Sequence, residues 1–132
     1  MQTFLPYPDF TKSLMCLDNK RLGKQRVECL QILNALEGKT KGWRNHPASI
    51  MWQNHIEALK LYHDLSIVVW VARGFKNTMP MLCKSIEVEL PDWLGDKDFH
   101  ASHRSNLLRK NKEHYGKFGW KEPDNLPYIW PL

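Results

Sequence analysis

The sequence predicts a mostly α-helical protein: a compact single domain of about three helices, with an N-terminal arm and an irregular aromatic C-terminal tail. A length of 132 residues is typical of one domain. Apolar residues recur at helical spacing in two long segments, and 42% apolar with 25% charged residues is an ordinary globular balance. Five of the eight prolines lie within the first or last ten residues, where they disfavour regular structure.

The first elements in the chain are the arm and a long helix. Pro6 and Pro8 restrict the backbone, so an extended arm should lie against the body of the protein. A first helix is expected over residues 18–36, with Asp18 as its N-cap. Gly23 inside this helix is either simply tolerated or marks a close approach of another element.

A second, longer helix is expected over residues 47–74. Pro47 suits its first turn and Gly74 its end. The remaining elements, in chain order, are a loop-rich segment with a short extended piece at 85–90, a third helix at about 100–113 capped by Asp98 or Ser102, and the tail at 115–132.

Cysteine usage and hydropathy indicate the compartment. Cys16, Cys29 and Cys83 are odd in number and widely spaced, which argues against a disulfide framework and a paired-cysteine zinc site. No apolar run approaches the roughly 18 residues of a membrane span, and no signal peptide is evident. We expect a reduced, cytoplasmic monomer without membrane association.

The charge pattern points to a polyanionic partner. The chain carries 19 Lys and Arg against 14 Asp and Glu, a net charge of +5. Residues 39–44 and 103–112 contain cations and no acid, and Trp43, Tyr115 and Trp120 lie within or beside cationic stretches. Cations attract phosphates and aromatic rings stack on bases, although such runs also occur as plainly solvated faces.

Two groups of side chains have a spacing that could serve catalysis or metal binding. Arg21, Lys24 or Gln25, and Glu28 fall on one face of the first helix, either as an ordinary surface network or as a carboxylate in a phosphate-binding site. His100 and His103 lie one helical turn apart. They lack a third ligand, so we expect no metal, and their expected partners are backbone groups or phosphate.

Several segments taken in order resemble the endonuclease V type of pyrimidine dimer DNA glycosylase. They are Arg26-Val27-Glu28 in the first helix, EGKTKGWRNHP at 37–47, Arg73-Gly74-Phe75 after the long helix, the segment 100–110, and Tyr115-Gly116 before the tail. The resemblance implies a helical domain that cleaves the N-glycosidic bond of a damaged base in double-stranded DNA. It also implies that an N-terminal α-amine attacks sugar C1′, that a glutamate assists, and that no cofactor is used.

The implied chemistry is physically reasonable. An α-amine has a pKa of about 8, so a useful fraction is uncharged and nucleophilic at neutral pH. A nearby carboxylate stabilises positive charge on the sugar. Carried over by position, the catalytic residues are Met1, Glu28 and Arg21. The DNA-binding residues are expected to be Lys24, Arg26, Lys41, Arg44, His46, His103, Arg104, Arg109, Lys117 and Trp120. Of these, Lys41, Arg44, Arg104, Arg109 and Lys117 should form a cationic trough around Glu28, with His46 and His103 at its edge.

The sequence departs from the family pattern at two places. The arginine that precedes the family glutamate is Val27 here, with Arg26 displaced by one position. Gln2 is bulky enough to leave Met1 in place, whereas a processed Gln2 can cyclise and lose its amine. Alternatives therefore stay open: Lys20 or Lys24 as nucleophile, a glycosylase for a modified base, a DNA-binding module without catalysis, or a small helical protein with solubilising charges.

Overall fold

The computed structural model describes all 132 residues and contains six α-helices and no strand. Helix makes up 51% of the chain, which confirms the mostly α-helical class. The helices are α1 (Phe10–Cys16), α2 (Asn19–Leu36), α3 (Pro47–Ile50), α4 (Ile56–Ala72), α5 (Lys97–Lys110) and α6 (Lys112–Tyr115), followed by a 3₁₀ turn at Gly116–Phe118. The estimate of about three helices was therefore too low.

Helix α1 was not predicted, since only an extended arm was expected before residue 18. It begins after Asp9, whose carboxylate accepts a hydrogen bond of 2.7 Å from the Lys12 amide. Phe10 packs edge-on against Tyr62 with ring centres 5.4 Å apart, which holds α1 against α4. Asp9, directly before the apolar i, i+4 pair Phe10 and Leu14, was the signal for this helix.

The predicted helix over 47–74 is broken between α3 and α4. Trp52 lies in the break and is fully buried; its indole N–H donates to the Thr3 hydroxyl at 2.9 Å, and its ring packs edge-on against Trp93. The next two residues are exposed, and the chain re-enters a helix only after His55. Long-range contacts of one large side chain thus override a helical pattern.

Other boundaries shift by a few residues. Helix α5 starts three residues earlier than predicted because Asp96, not Asp98 or Ser102, caps it by accepting from two backbone amides. The expected extended piece at 85–90 forms no strand. The last residues of the predicted third helix belong to α6, and the predicted tail begins with Tyr115 and the 3₁₀ turn. Gly23 is a close-approach point: a Cβ there would lie 3.0 Å from the Trp70 ring.

One hydrophobic core joins the arm to the helices. Twenty buried residues from Phe4 to Tyr115 form a single cluster. Asp64 on α4 accepts hydrogen bonds from the Leu82 and Cys83 amides, so the segment after α4 is fastened to that helix. None of the helices combines the length and apolar content that crossing a bilayer requires.

Candidate active site

A cleft of about 290 Å³ opens where the start of the chain meets α2 and the C-terminal part of the protein. Its lining is polar rather than apolar, with one carboxylate and several cations around it. Its lining residues are Met1, Gln2, Phe4, Lys20, Arg21, Lys24, Gln25, Glu28, Lys110 and Tyr128.

The arm enters this cleft as a buried, extended segment that is held by side chains. Gln25 on α2 accepts from the Phe4 amide and donates to the Gln2 carbonyl, both at 2.8 Å. Tyr62 donates to the Phe4 carbonyl at 2.6 Å. Buried backbone groups need such partners, so these side chains fix the path of the first residues.

Two histidines on α5 hold the next peptide group of the arm. The Leu5 amide donates to His103 Nδ1 at 2.9 Å, and His100 Nδ1 donates to the Leu5 carbonyl at 2.7 Å. Burial lowers the pKa of both imidazoles, that of His103 to about 3. The pair thus binds backbone, and the side chain of His103, which the sequence predicts to contact DNA, is fully buried in this structure.

Glu28 lies beside the start of the chain. The Gln2 amide donates to Glu28 Oε2 at 3.0 Å, and Oε1 makes no hydrogen bond within the protein. Successive backbone nitrogens are at most about 3.7 Å apart, so the Met1 amine lies within about 7 Å of Glu28 Oε2. No ion pair joins the two groups. The arm and α2 therefore bring Met1 and Glu28 to one cleft.

Cations surround this single carboxylate, and we call Lys20, Arg21, Lys24 and Lys110 the rim of the cleft. Arg21 pairs with Asp18 at 3.1 Å, whereas the three lysines form no ion pair. Partial burial and then the charges of Arg21, Arg109 and Lys24 lower the pKa of Lys110. Such a cluster of like charges attracts an anion.

Three predicted DNA-binding residues instead support the fold. Arg104 forms a two-pronged ion pair with Glu122 and donates to the Pro6 carbonyl. Arg26 donates to Asn77 and lies over the Trp70 ring. Trp120 stacks on Tyr115 and donates to the Tyr7 hydroxyl. Each of the three side chains thus donates at least one hydrogen bond within the protein.

The remaining predicted DNA-binding residues are nearer the surface. Lys41, Arg44, Lys117 and Arg109 are exposed, and Arg109 donates to Asn106.

His46 is half-buried and caps α3 through the Ala48 amide. Burial, followed by the charge of the N-terminal amine, lowers the pKa of His46, and Glu28 opposes this, so His46 lies within electrostatic range of the cleft.

Sequence reasoning missed two members of the cleft. Lys110 ends α5 and Tyr128 belongs to the tail, more than 80 residues along the chain from Glu28. Burial raises the pKa of Tyr128 to about 12, which keeps its hydroxyl protonated. The acid-free stretch at 103–112 was a signal for Lys110; nothing local marked Tyr128.

Comparison with protein families assigns the chain. The model of the pyrimidine dimer DNA glycosylase family matches residues 1–82, which include the arm, α1 to α4 and Glu28. No curated protein and no solved structure matches the chain. Since the match spans more than half of the sequence, the chain belongs to the pyrimidine dimer DNA glycosylase family.

Proposed function

We propose that the whole chain, residues 1–132, is a DNA repair glycosylase with abasic-site lyase activity, in which the Met1 α-amine is the nucleophile and Glu28 assists it. The observation that carries the proposal is the hydrogen bond from the Gln2 amide to Glu28 Oε2, at 3.0 Å. It fixes the first residue beside a carboxylate in an open, cationic cleft. One copy of the chain supplies every group required.

The arm supplies the positioning that this reaction needs. An attacking amine must be held near the sugar carbon, and a flexible terminus would lose that advantage. Gln2 and Thr3 are buried, and Gln25 binds the backbone on both sides of Thr3. Only Met1 extends beyond this fixed segment into the cleft, so its amine has little freedom left to lose.

The proposed reaction begins with the uncharged amine at C1′. Its lone pair forms a bond to C1′ while the glycosidic C1′–N bond breaks, and the base leaves with that electron pair and takes up a proton. The nitrogen then loses one proton to the surroundings and a second to O4′, which takes the electron pair of the C1′–O4′ bond as the sugar ring opens, and an imine results. Removal of a C2′ proton then expels the 3′ phosphate, which is the lyase step.

Glu28 has two roles in this scheme. Its Oε2 holds the Gln2 amide, which orients the residue that carries the amine. Its Oε1 has no partner in the protein and is available to stabilise positive charge as the glycosidic bond breaks. A carboxylate performs this task best where water is excluded, and Glu28 is half-buried.

The DNA is expected to lie across the rim. Phosphates provide most of the affinity of such proteins, and the lysines of the rim have no ion pair to break first. Attack at C1′ requires that the nucleotide leave the base stack, and the cleft is the one place where it meets both Met1 and Glu28.

The test is excision of a pyrimidine dimer from a duplex by the wild type and by Glu28→Gln. The variant keeps the size of the side chain, so we expect unchanged DNA binding and a rate of excision at least about 100-fold lower. Glu113→Gln is the matched control, because Glu113 is exposed and makes no side-chain hydrogen bond or ion pair.

Each outcome has a defined meaning. If Glu28→Gln excises the dimer as fast as the wild type does, the proposed role of Glu28 is contradicted. Binding without excision by the wild type indicates a DNA-binding module, and excision confined to a chemically modified base indicates a different lesion. Failure to bind DNA contradicts the proposal altogether.

A further inference from the structure

Trp43 has an unusual backbone conformation. It is the only residue other than glycine with a left-handed backbone, at φ 67°. A bulky side chain disfavours this region, and such residues cluster at functional sites. Half of the side chain, 50%, remains exposed, and it makes no hydrogen bond through its indole N–H. Core packing therefore does not account for an indole at this position.

The turn that carries Trp43 is cationic and unpaired. We call residues 39–44 the basic turn. Lys39, Lys41 and Arg44 are exposed, and none of them forms an ion pair. The indole is thus flanked on both sides by charges that are free to meet phosphates.

Aromatic contacts connect the basic turn to the neighbourhood of the cleft. The Trp43 ring packs edge-on against His46 with centres 5.5 Å apart, and His46 packs against Trp130 at 5.8 Å. Trp130 in turn packs against Tyr128, which lines the cleft, with ring centres 5.6 Å apart. We therefore expect DNA that places a sugar in the cleft to pass close to Trp43.

We propose that Trp43 stacks on an unpaired nucleobase of the bound DNA while the cations of the basic turn hold the adjacent phosphates. This inference rests on the proposed function, because extruding a nucleotide leaves an unpaired base that needs a new partner. An exposed indole accepts any base on its face, which gives affinity for opened DNA without sequence preference. Trp43 is thus a positioning residue.

The experiment compares two duplexes that the enzyme cannot cleave. One is fully paired, and the other carries 2-aminopurine opposite a tetrahydrofuran abasic analogue. Trp43→Asn removes the ring and suits a left-handed backbone, whereas Trp43→Phe keeps an aromatic ring. We expect Trp43→Asn to lose about 10-fold in affinity for the opened duplex, to quench 2-aminopurine less, and to bind the paired duplex as the wild type does.

Two further measurements separate stacking from other causes. The dependence of affinity on salt should be unchanged in Trp43→Asn, since no phosphate contact is lost, and Trp43→Phe should recover most of the affinity. Ile86→Asn is the control: this apolar side chain is fully exposed and lies in an acidic segment. Its binding should match the wild type on both duplexes.

The inference is overturned if Trp43→Asn binds both duplexes as the wild type does, or loses affinity equally on both. It is also overturned if the wild type binds no DNA. Wild-type excision of a pyrimidine dimer is measured separately. Stacking without excision contradicts the proposed function, and excision with unaltered binding by Trp43→Asn contradicts only the role of Trp43.

Discussion

Polar groups are hydrogen-bonded within the protein on one side of the cleft, which we call the floor, and are largely unpaired on the rim. The floor consists of residues 2–5 and of the side chains of Gln25, His100 and His103, which bind their backbone. The floor is buried and its backbone groups are hydrogen-bonded. The rim is more exposed, and its lysines have no ion pair. The comparison teaches that the floor stabilises the fold and holds the start of the chain, whereas the lysines of the rim are left without a partner in the protein.

The largest expected effect is on the floor. Gln25→Leu keeps the volume but leaves the Phe4 amide and the Gln2 carbonyl buried without partners. Each such group costs about 1–3 kcal/mol, so we expect the free energy of unfolding to fall by about 3 kcal/mol in urea titrations. Gln31→Leu on the exposed face of the same helix should change it by about 0.5 kcal/mol or less. Equal losses of stability in Gln25→Leu and Gln31→Leu would show that the hydrogen bonds of the floor do not stabilise the fold.

The next effect is a pH dependence that arises in the floor. Burial lowers the pKa of His103 from 6.5 to about 3 in the folded protein, so protons bind the unfolded chain more tightly. The stability that neutral His103 provides is complete above about pH 6.5 and is lost as the pH falls toward 3. We expect the free energy of unfolding, measured by urea titration, to be roughly 2 kcal/mol lower at pH 5 than at pH 7.

His103→Asn sharpens this test, because an amide oxygen can accept from the Leu5 amide without titrating. The variant should be less stable at pH 7 and lose less stability on acidification than the wild type. His100, whose pKa burial also lowers, accounts for a remaining pH dependence. An unchanged profile in His103→Asn would show that His103 does not carry the effect.

A smaller effect separates free cations from bound ones. Arg44→Ala should lower the slope of log affinity for DNA against log salt by about one, equally for intact and damaged duplexes, because it removes one phosphate contact. Arg104→Ala should leave this slope unchanged and lower stability, since Arg104 is engaged by Glu122 and the Pro6 carbonyl. A reduced slope in Arg104→Ala would mean that the ion pair opens to bind DNA.

Local patterns predicted that Arg21, Lys24 and Glu28 lie on one face of a helix, and these side chains do line the same cleft. The spacing of Arg21, Lys24 and Glu28 follows from helix geometry, and that geometry is independent of the rest of the chain. Asp18 does stand at the start of α2, although its carboxylate binds Arg21 and Tyr115 rather than the helix amides. Periodicity is sufficient where neighbours in sequence are neighbours in space.

Long-range contacts set what the sequence left undetermined. His103 is buried under the arm, where the amide of Leu5, 98 residues away along the chain, donates a hydrogen bond to it. Trp52 breaks a helical pattern because Thr3 and Trp93 bind it from distant segments. Tyr128 reaches the cleft because the tail folds back over α5. No local rule contains such information.

Borohydride trapping on abasic-site DNA tests the central claim most directly. Reduction fixes the imine, and mass spectrometry of the digested adduct identifies the amine that formed it. We predict an adduct on the peptide that begins the chain, through the α-amine of Met1, and its loss when that amine is blocked by acetylation. An adduct on Lys20, Lys24 or Lys110, or no adduct from a protein that excises pyrimidine dimers, would contradict the proposed mechanism.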